Sequence, residues 1–206
     1  MNVLVISTCK YKLHEEEFVK PVTYILKNES IEYNTIHISK LSELCEREIC
    51  AYSHIIFCGT ALKDFTYFQY NITATLNTIH KLNISTFTIC AGAQIICKYY
   101  NLSLQEQLHI AVLQTLCLNS SSQLGIEKDS TQQVYAIHSY NISLNEVEKA
   151  KLTLPNSSII PILSNISRQD DIELLEIDNF VVTFFHPEIK NKELIINWLY
   201  SSKNNN

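Results

Sequence analysis

Glycine is scarce in this chain. Average usage of about 7% would place roughly fourteen glycines in a protein of this size, and the 206 residues hold 3. Where those few fall therefore carries meaning, because they mark positions that need backbone freedom or close approach. Clustered cations are missing as well. With a formal net charge of −5 and Lys and Arg scattered along the sequence, no surface for counterion release is expected, which excludes direct contact with nucleic acid. No run of about 18 apolar residues occurs, so no membrane-spanning helix and no membrane partner are expected. The apolar stretch Met1 to Ser7 has no basic region and no long apolar core, and reads as a first β-strand rather than a signal peptide. Cys-x-x-Cys pairs, internal repeats and linkers are all absent. The odd count of 7 cysteines argues against both a disulfide framework and a zinc site. These absences together predict a reducing, cytoplasmic setting in which most of the cysteines other than Cys90 are small core hydrophobes.

What is present fits one globular domain. A composition that is 46% hydrophobic and 18% charged can fill a core over residues 1–200. The tail 201–206 has no apolar residue to pack and is expected to be disordered. Strand-like runs recur at Val3 to Ser7, Ile31 to Ile38, His54 to Cys58 and Ser85 to Cys90. Between them lie helical patterns, one with a face of Val19, Val22, Ile25 and Leu26 and a shorter one with Leu41, Leu44 and Cys45. That alternation predicts an α/β fold of three layers, with a mostly parallel sheet and helices on both faces. The second half changes character. Runs at Leu108 to Leu113, Val134 to His138, Ser158 to Leu163 and Asp171 to Ile177 are separated by turn-rich pieces, which predicts some mixed or antiparallel strands. A nearly continuous apolar strand, Phe180 to Phe185, and a final helical pattern from Glu188 to Tyr200 complete the chain.

Two short runs carry chemistry. In Thr88 to Gln94, Cys90 follows an apolar stretch and precedes a helical pattern, so it is expected on a strand-to-helix turn with the first helical N–H groups beside its sulfur. Gly92 falls two residues later, where a side chain would crowd the turn, and Gly59 ends another apolar strand. Far downstream, His186, Pro187 and Glu188 stand at the end of the last strand. A thiol with a pKa of about 8.5 is only slightly ionised at neutral pH and needs a base or a positive field beside it. His186 supplies the base. Glu188, two residues on, would project to the same side of an extended chain and orient the imidazole, with Pro187 biasing His186 toward extended geometry. Cys90, His186 and Glu188 then read as nucleophile, general acid/base and orienter.

At these residues the sequence resembles the class I glutamine amidotransferases, whose flavodoxin-like domains use a Cys-His-Glu triad. The resemblance spans nearly the whole chain, through Cys90, Gly92, Gln94, His186 and Glu188. It implies hydrolysis of L-glutamine through a Cys90 thioester, with no metal and no organic cofactor, and delivery of ammonia to a separate synthetase. Gln94 would contact the substrate, and backbone N–H groups of Ala91 and Gly59 would form the oxyanion hole. The run Ile137 to Tyr140 is similar to the family's substrate segment, in which Ser139 and Tyr140 would act mostly through backbone. Two departures stand out: Thr88 where the family favours glycine, and a loop from Gly59 to Asp64 with a single glycine. The runs Leu13 to Pro21 and Cys58 to Phe65 are similar to those of small stand-alone archaeal amidotransferases, some resembling the glutaminase component of GMP synthase. Two competing readings exist. One is a peptidase, deglycase or chaperone of the related cysteine-elbow superfamily, disfavoured because Ala91 rather than histidine follows the nucleophile. The other is a degenerate, non-catalytic regulatory domain, disfavoured by the intact triad.

Overall fold

Burial along the first strand sets the architecture. In β1 (Asn2–Ser7), Val3 and Val5 enter one apolar cluster while Leu4 and Ile6 enter another, so both faces of the strand are covered. Such a strand belongs inside a parallel sheet flanked by helices. The computed structural model describes residues 1–117, 122, 124–168 and 170–201. After β1 come α1 (Glu15–Phe18), α2 (Lys20–Asn28), β2 (Glu32–His37), α3 (Glu46–Ile49) and β3 (His54–Phe57). Then follow α4 (Thr73–Lys81), β4 (Ser85–Ile89), α5 (Ala91–Tyr99), β5 (Gln105–Cys117) and β6 (Thr131–Ser143). The chain continues through α6 (Leu144–Thr153), β7 (Ile159–Asn165), β8 (Asp171–Ile177), β9 (Phe180–Thr183) and α7 (Lys192–Ser201).

The nine strands of the described residues form one mixed sheet in the order β2-β1-β3-β4-β9-β8-β6-β5-β7. The five from β2 to β9 pair in parallel. From β8 onward pairing is antiparallel, and β7 also pairs with β8, which closes β8, β6, β5 and β7 on themselves. On one face, Leu76 and Ile79 of α4, Ile96 of α5 and Val147 of α6 share a cluster with Leu4, Ile6, Ile55 and Phe57. On the other, Val22, Ile25 and Leu26 of α2 and Leu194, Ile195, Trp198 and Leu199 of α7 cover Val3, Val5, Ile56 and Phe87. The predicted mostly parallel sheet with helices on both faces and antiparallel strands in the second half is therefore what forms. Because β1, β3, β4 and β9 run parallel, the residues that follow them gather at one edge, where open α/β sheets place their ligands.

Several expectations change in detail. The face of Leu41, Leu44 and Cys45 is not one helix. A 3-10 segment, Ile38–Glu43, buries Leu41, and Cys45 is an exposed N-cap of α3. Cys45 and Cys50 are both exposed, so they are not core residues, whereas Cys9, Cys58, Cys97 and Cys117 are buried. Among the described residues no helix is long and apolar enough to cross a membrane. Ser201, the first residue of the expected tail, still belongs to α7, and residues 202–206 lie outside the described residues.

Candidate active site

Cys90 sits at the junction of β4 and α5 with φ 48° and ψ −98°. A non-glycine residue rarely adopts such a conformation, and holding it costs on the order of 1–3 kcal/mol. Flanking bonds hold it in place: Cys90 N–H donates to Thr183 O at 2.8 Å, and Gln94 N–H donates to Cys90 O at 3.0 Å to open the helix. Gly92 is needed here for a different reason from turn crowding. A Cβ at Gly92 would lie 2.6 Å from Phe57 Cβ and 2.8 Å from Phe57 O, so glycine is what lets α5 lie against β3. Thr88 does not obstruct the elbow. Its Oγ1 donates to Val181 O at 3.0 Å and its carbonyl accepts from Thr183 Oγ1 at 2.9 Å, which ties β4 to β9 just ahead of Cys90.

His186 and Glu188 meet through a turn, not through extended chain. His186 O accepts from Ile189 N–H at 3.2 Å, which puts Pro187 at the second position of the turn, where its fixed φ is favoured. The turn brings His186 Nδ1 to 2.7 Å from Glu188 Oε1, with both side chains buried. On its far side, His186 Nε2 is 3.4 Å from Ile137 O. Both ring nitrogens thus face acceptors, an arrangement that suits the imidazolium. Burial alone would lower the His186 pKa, but the Glu188 charge and the hydrogen bonds to Cys90 and Glu188 outweigh it and hold the group well above 6.5. Cys90 Sγ also lies 3.6 Å from Ile137 O. Gly59 makes room for this ring, because a Cβ there would come within 2.8 Å of His186 Cε1 and 3.4 Å of Cys90 Cβ.

The loop after Gly59 is braced by one carboxylate. Asp64 accepts from Lys10 N–H at 2.7 Å, Thr60 Oγ1 at 2.9 Å, Thr66 N–H at 3.1 Å and the Thr66 hydroxyl. Burial pushes its pKa up, but these donors outweigh burial and hold it below 3.8. Thr8 Oγ1, between the carbonyls of Cys58 (3.0 Å) and Gly59 (3.1 Å), adds a second tie. The loop, Cys90, Ala91, Gln94 and Ser139 line a tight pocket of about 10 Å³. Ser139 Oγ donates to Leu62 O at 3.2 Å across its mouth. Gln94 is oriented by Tyr67, whose hydroxyl donates to Gln94 Oε1 at 2.6 Å.

Of the residues singled out from sequence, Cys90, Ala91, Gln94 and Ser139 line that pocket, and Gly59, His186 and Glu188 stand behind Cys90. Tyr140 does not line it and instead packs edge-on against Phe65 with ring centroids 5.6 Å apart. Sequence reasoning missed three participants. Asp64 had a signal, being a lone acid inside the loop that follows Gly59. Tyr67 and the Ile137 carbonyl had none, since their roles depend on how a 3-10 turn and a strand backbone meet Gln94 and His186 in space.

No protein-family model matches the sequence, and no curated protein matches it either. Solved structures do. A candidate GMP synthase component from Thermoplasma acidophilum superposes with a TM-score of 0.72 at 14% identity, over 99% of this chain and 94% of that one. A glutamine amidotransferase from Thermotoga maritima gives 0.67 at 15% identity, over 99% and 83%. The glutaminase domain of Trypanosoma brucei CTPS, solved with bound acivicin, gives 0.70 at 9% identity, over 100% and 95%. The chain has the class I glutamine amidotransferase fold. At these identities the likeness is one of fold, and in that amidotransferase fold the elbow of Cys90 and the turn of His186 meet at the edge where the parallel strands end.

Proposed function

We propose that this chain is a glutamine amidotransferase of the glutaminase type, which hydrolyses the side-chain amide of L-glutamine and passes ammonia to a separate synthetase. One observation carries the reading: the 2.7 Å contact of His186 Nδ1 with Glu188 Oε1, beside a cysteine held at positive φ on a strand-to-helix elbow. In the proposed reaction the Cys90 thiol proton passes to His186 and the sulfur attacks the amide carbon. The amide oxygen takes up the negative charge, and backbone N–H groups of Ala91 and of the Gly59 loop serve as its donors, each worth about 10²–10³ in rate. His186 then gives its proton to the departing nitrogen, ammonia leaves, and a γ-glutamyl thioester remains. Water deprotonated by His186 attacks the thioester, glutamate departs, and the proton returns to the thiolate.

Gln94 and Ser139 supply polar contacts for the substrate's far end in this scheme. No step requires a metal or an organic cofactor. Because the 206 residues contain no P-loop, use of the ammonia is assigned to a synthetase outside them. The amidotransferase and glutaminase structures among the neighbours support the reading in kind. A cytoplasmic location fits it too, because free thiols persist in a reducing compartment.

The test is covalent labelling with a glutamine-mimicking chloroketone, followed by peptide mass spectrometry. Selective modification of Cys90, protected by glutamine and suppressed in His186→Ala, is the expected result. Full glutaminase activity in Cys90→Ala would overturn the assignment.

A further inference from the structure

The outer flank of α5 borders a second hollow, separate from the Cys90 pocket. Together with the 3-10 turn Thr66–Gln69 and the start of α4 it lines a cavity of about 530 Å³ that is open to solvent, against about 10 Å³ around Cys90. Four aromatic side chains line it: Tyr67, Phe68, Tyr70 and Tyr99. Each is anchored by a neighbour. The Tyr67 hydroxyl is bound to Gln94 Oε1, Phe68 packs on Tyr67 with centroids 4.5 Å apart, Tyr70 meets the His37 ring at 5.6 Å, and the Tyr99 hydroxyl donates to Asn77 Oδ1 at 2.8 Å. Rings tied in this way keep the groove open without a ligand, so binding would lose little to reorganisation.

The charge of the groove is as informative as its walls. Lys98 is the one charged residue in the lining, and its Nζ stands 4.8 Å from the centroid of Phe68. No carboxylate lines the groove, although the protein as a whole carries a formal charge of −5. Among the described residues no carboxylate pairs with Lys98. An ammonium at the rim of an aromatic floor selects a flat ring bearing negative charge over an acidic peptide or an aliphatic acid, because both halves of that ligand then meet a complementary surface.

We propose that this groove is a binding site for a small molecule that joins a planar aromatic ring to an anionic group, the ring packing on the aromatic walls and the anion pairing with Lys98. Tyr67 is common to the groove and to the Cys90 pocket, so the ligand would touch the residue that orients Gln94. The proposal is independent of the glutaminase reading, since it concerns binding alone.

Isothermal titration of the full chain with adenosine 5′-monophosphate and with 4-hydroxybenzoate tests it and separates a nucleotide from a simple aromatic acid. At least one of the two binds, its uncharged counterpart (adenosine or 4-hydroxybenzamide) binds more weakly, and Lys98→Met weakens the anion by about tenfold or more. Tyr70→Ala, at a half-buried position, weakens the same ligand while the melting temperature shows that the chain is folded. Failure of both anions to bind, or equal affinity in wild type and Lys98→Met, would overturn the proposal.

Discussion

His186 and Glu188 are two residues apart and meet because the chain turns back on itself. Ile189 N–H bonds to His186 O, and the 2.7 Å contact between Nδ1 and Oε1 is a product of that turn. The carboxylate therefore reaches the imidazole through a local, proline-set geometry, and it will follow the histidine in any motion of this edge of the sheet.

Removing the Glu188 charge should be felt first in the titration of His186. With Glu188→Gln, the imidazole loses its strongest charged neighbour and its midpoint falls from well above 6.5 toward or below that value, because burial then dominates. Glutaminase kcat/KM should fall by roughly 10²–10⁴-fold. Histidine NMR titration reads the first effect and a coupled glutamate assay the second. An unmoved His186 midpoint would contradict the role given to Glu188.

The same shift makes stability depend on pH in a defined direction. A histidine whose pKa is raised on folding stabilises the native state fully below its unfolded pKa of about 6.5, and that contribution is lost as pH rises through the folded value. Melting temperature should therefore decline on the alkaline side of neutrality in wild type and decline less in Glu188→Gln, measured by calorimetry from pH 6 to about pH 10.

Gly59 and Gly92 should respond differently to an added methyl group. In Gly59→Ala the new Cβ meets His186 Cε1 at 2.8 Å, a side chain in the site, so activity should fall by at least about tenfold through displacement of the ring. In Gly92→Ala it meets Phe57 Cβ and backbone at 2.6 and 2.8 Å, inside the helix-sheet contact. Overpacking of that kind costs about 1–3 kcal/mol, so the melting temperature should drop more in Gly92→Ala than in Gly59→Ala. Wild-type activity in Gly59→Ala together with an unchanged melting temperature in Gly92→Ala would show that these close approaches relax without consequence.

Asp64 should matter more to the loop than to the fold. Replacing it by alanine strands the Lys10 and Thr66 N–H donors and frees residues 60–66, at a cost of about 1.5–3 kcal/mol for charged hydrogen bonds. Its pKa is depressed on folding, so the stability it gives is present above about 3.8 and lost as pH falls through the folded value. Acid unfolding of wild type should steepen in that range, and Asp64→Asn should flatten it. Hydrogen exchange of Thr66 N–H reports the loop directly.

The parallel half of the fold and the pair Cys90 and His186 are legible in the sequence because each is encoded locally. Val3 and Val5 against Leu4 and Ile6 give continuous apolar strands, and a thiol between such a strand and a helical pattern announces an elbow. What escapes a sequence reading depends on contacts distant along the chain. The Ile137 carbonyl reaches His186 across 49 residues, and nothing in an isoleucine signals that its backbone faces an imidazole. The Pro187 turn reads as extended chain because proline favours both conformations for its neighbours, and the choice is made by the bond from Ile189 to His186. Cys45 and Cys50 are expected in the core but lie outside it, because composition cannot tell a buried cysteine from one at a helix cap.

Tyr67 offers a separation of binding from chemistry. Burial pushes its phenol pKa above the usual 10, so it remains a donor at all working pH values, and its partner Gln94 Oε1 is enclosed with it. Tyr67→Phe keeps the ring in place against Phe68 and removes only the hydroxyl, which leaves the Gln94 carbonyl without its donor at a cost of about 1–3 kcal/mol. If Gln94 holds the substrate, that loss should raise KM for glutamine by about tenfold or more while kcat changes little, because the hydroxyl removed bonds to Gln94, whereas His186, which moves the protons, is held by Glu188. Labelling of Cys90 by a small alkylating agent should proceed at the wild-type rate, yet glutamine should protect it less well. A fall in kcat with unchanged KM would instead show that Gln94 steadies the elbow and not the substrate.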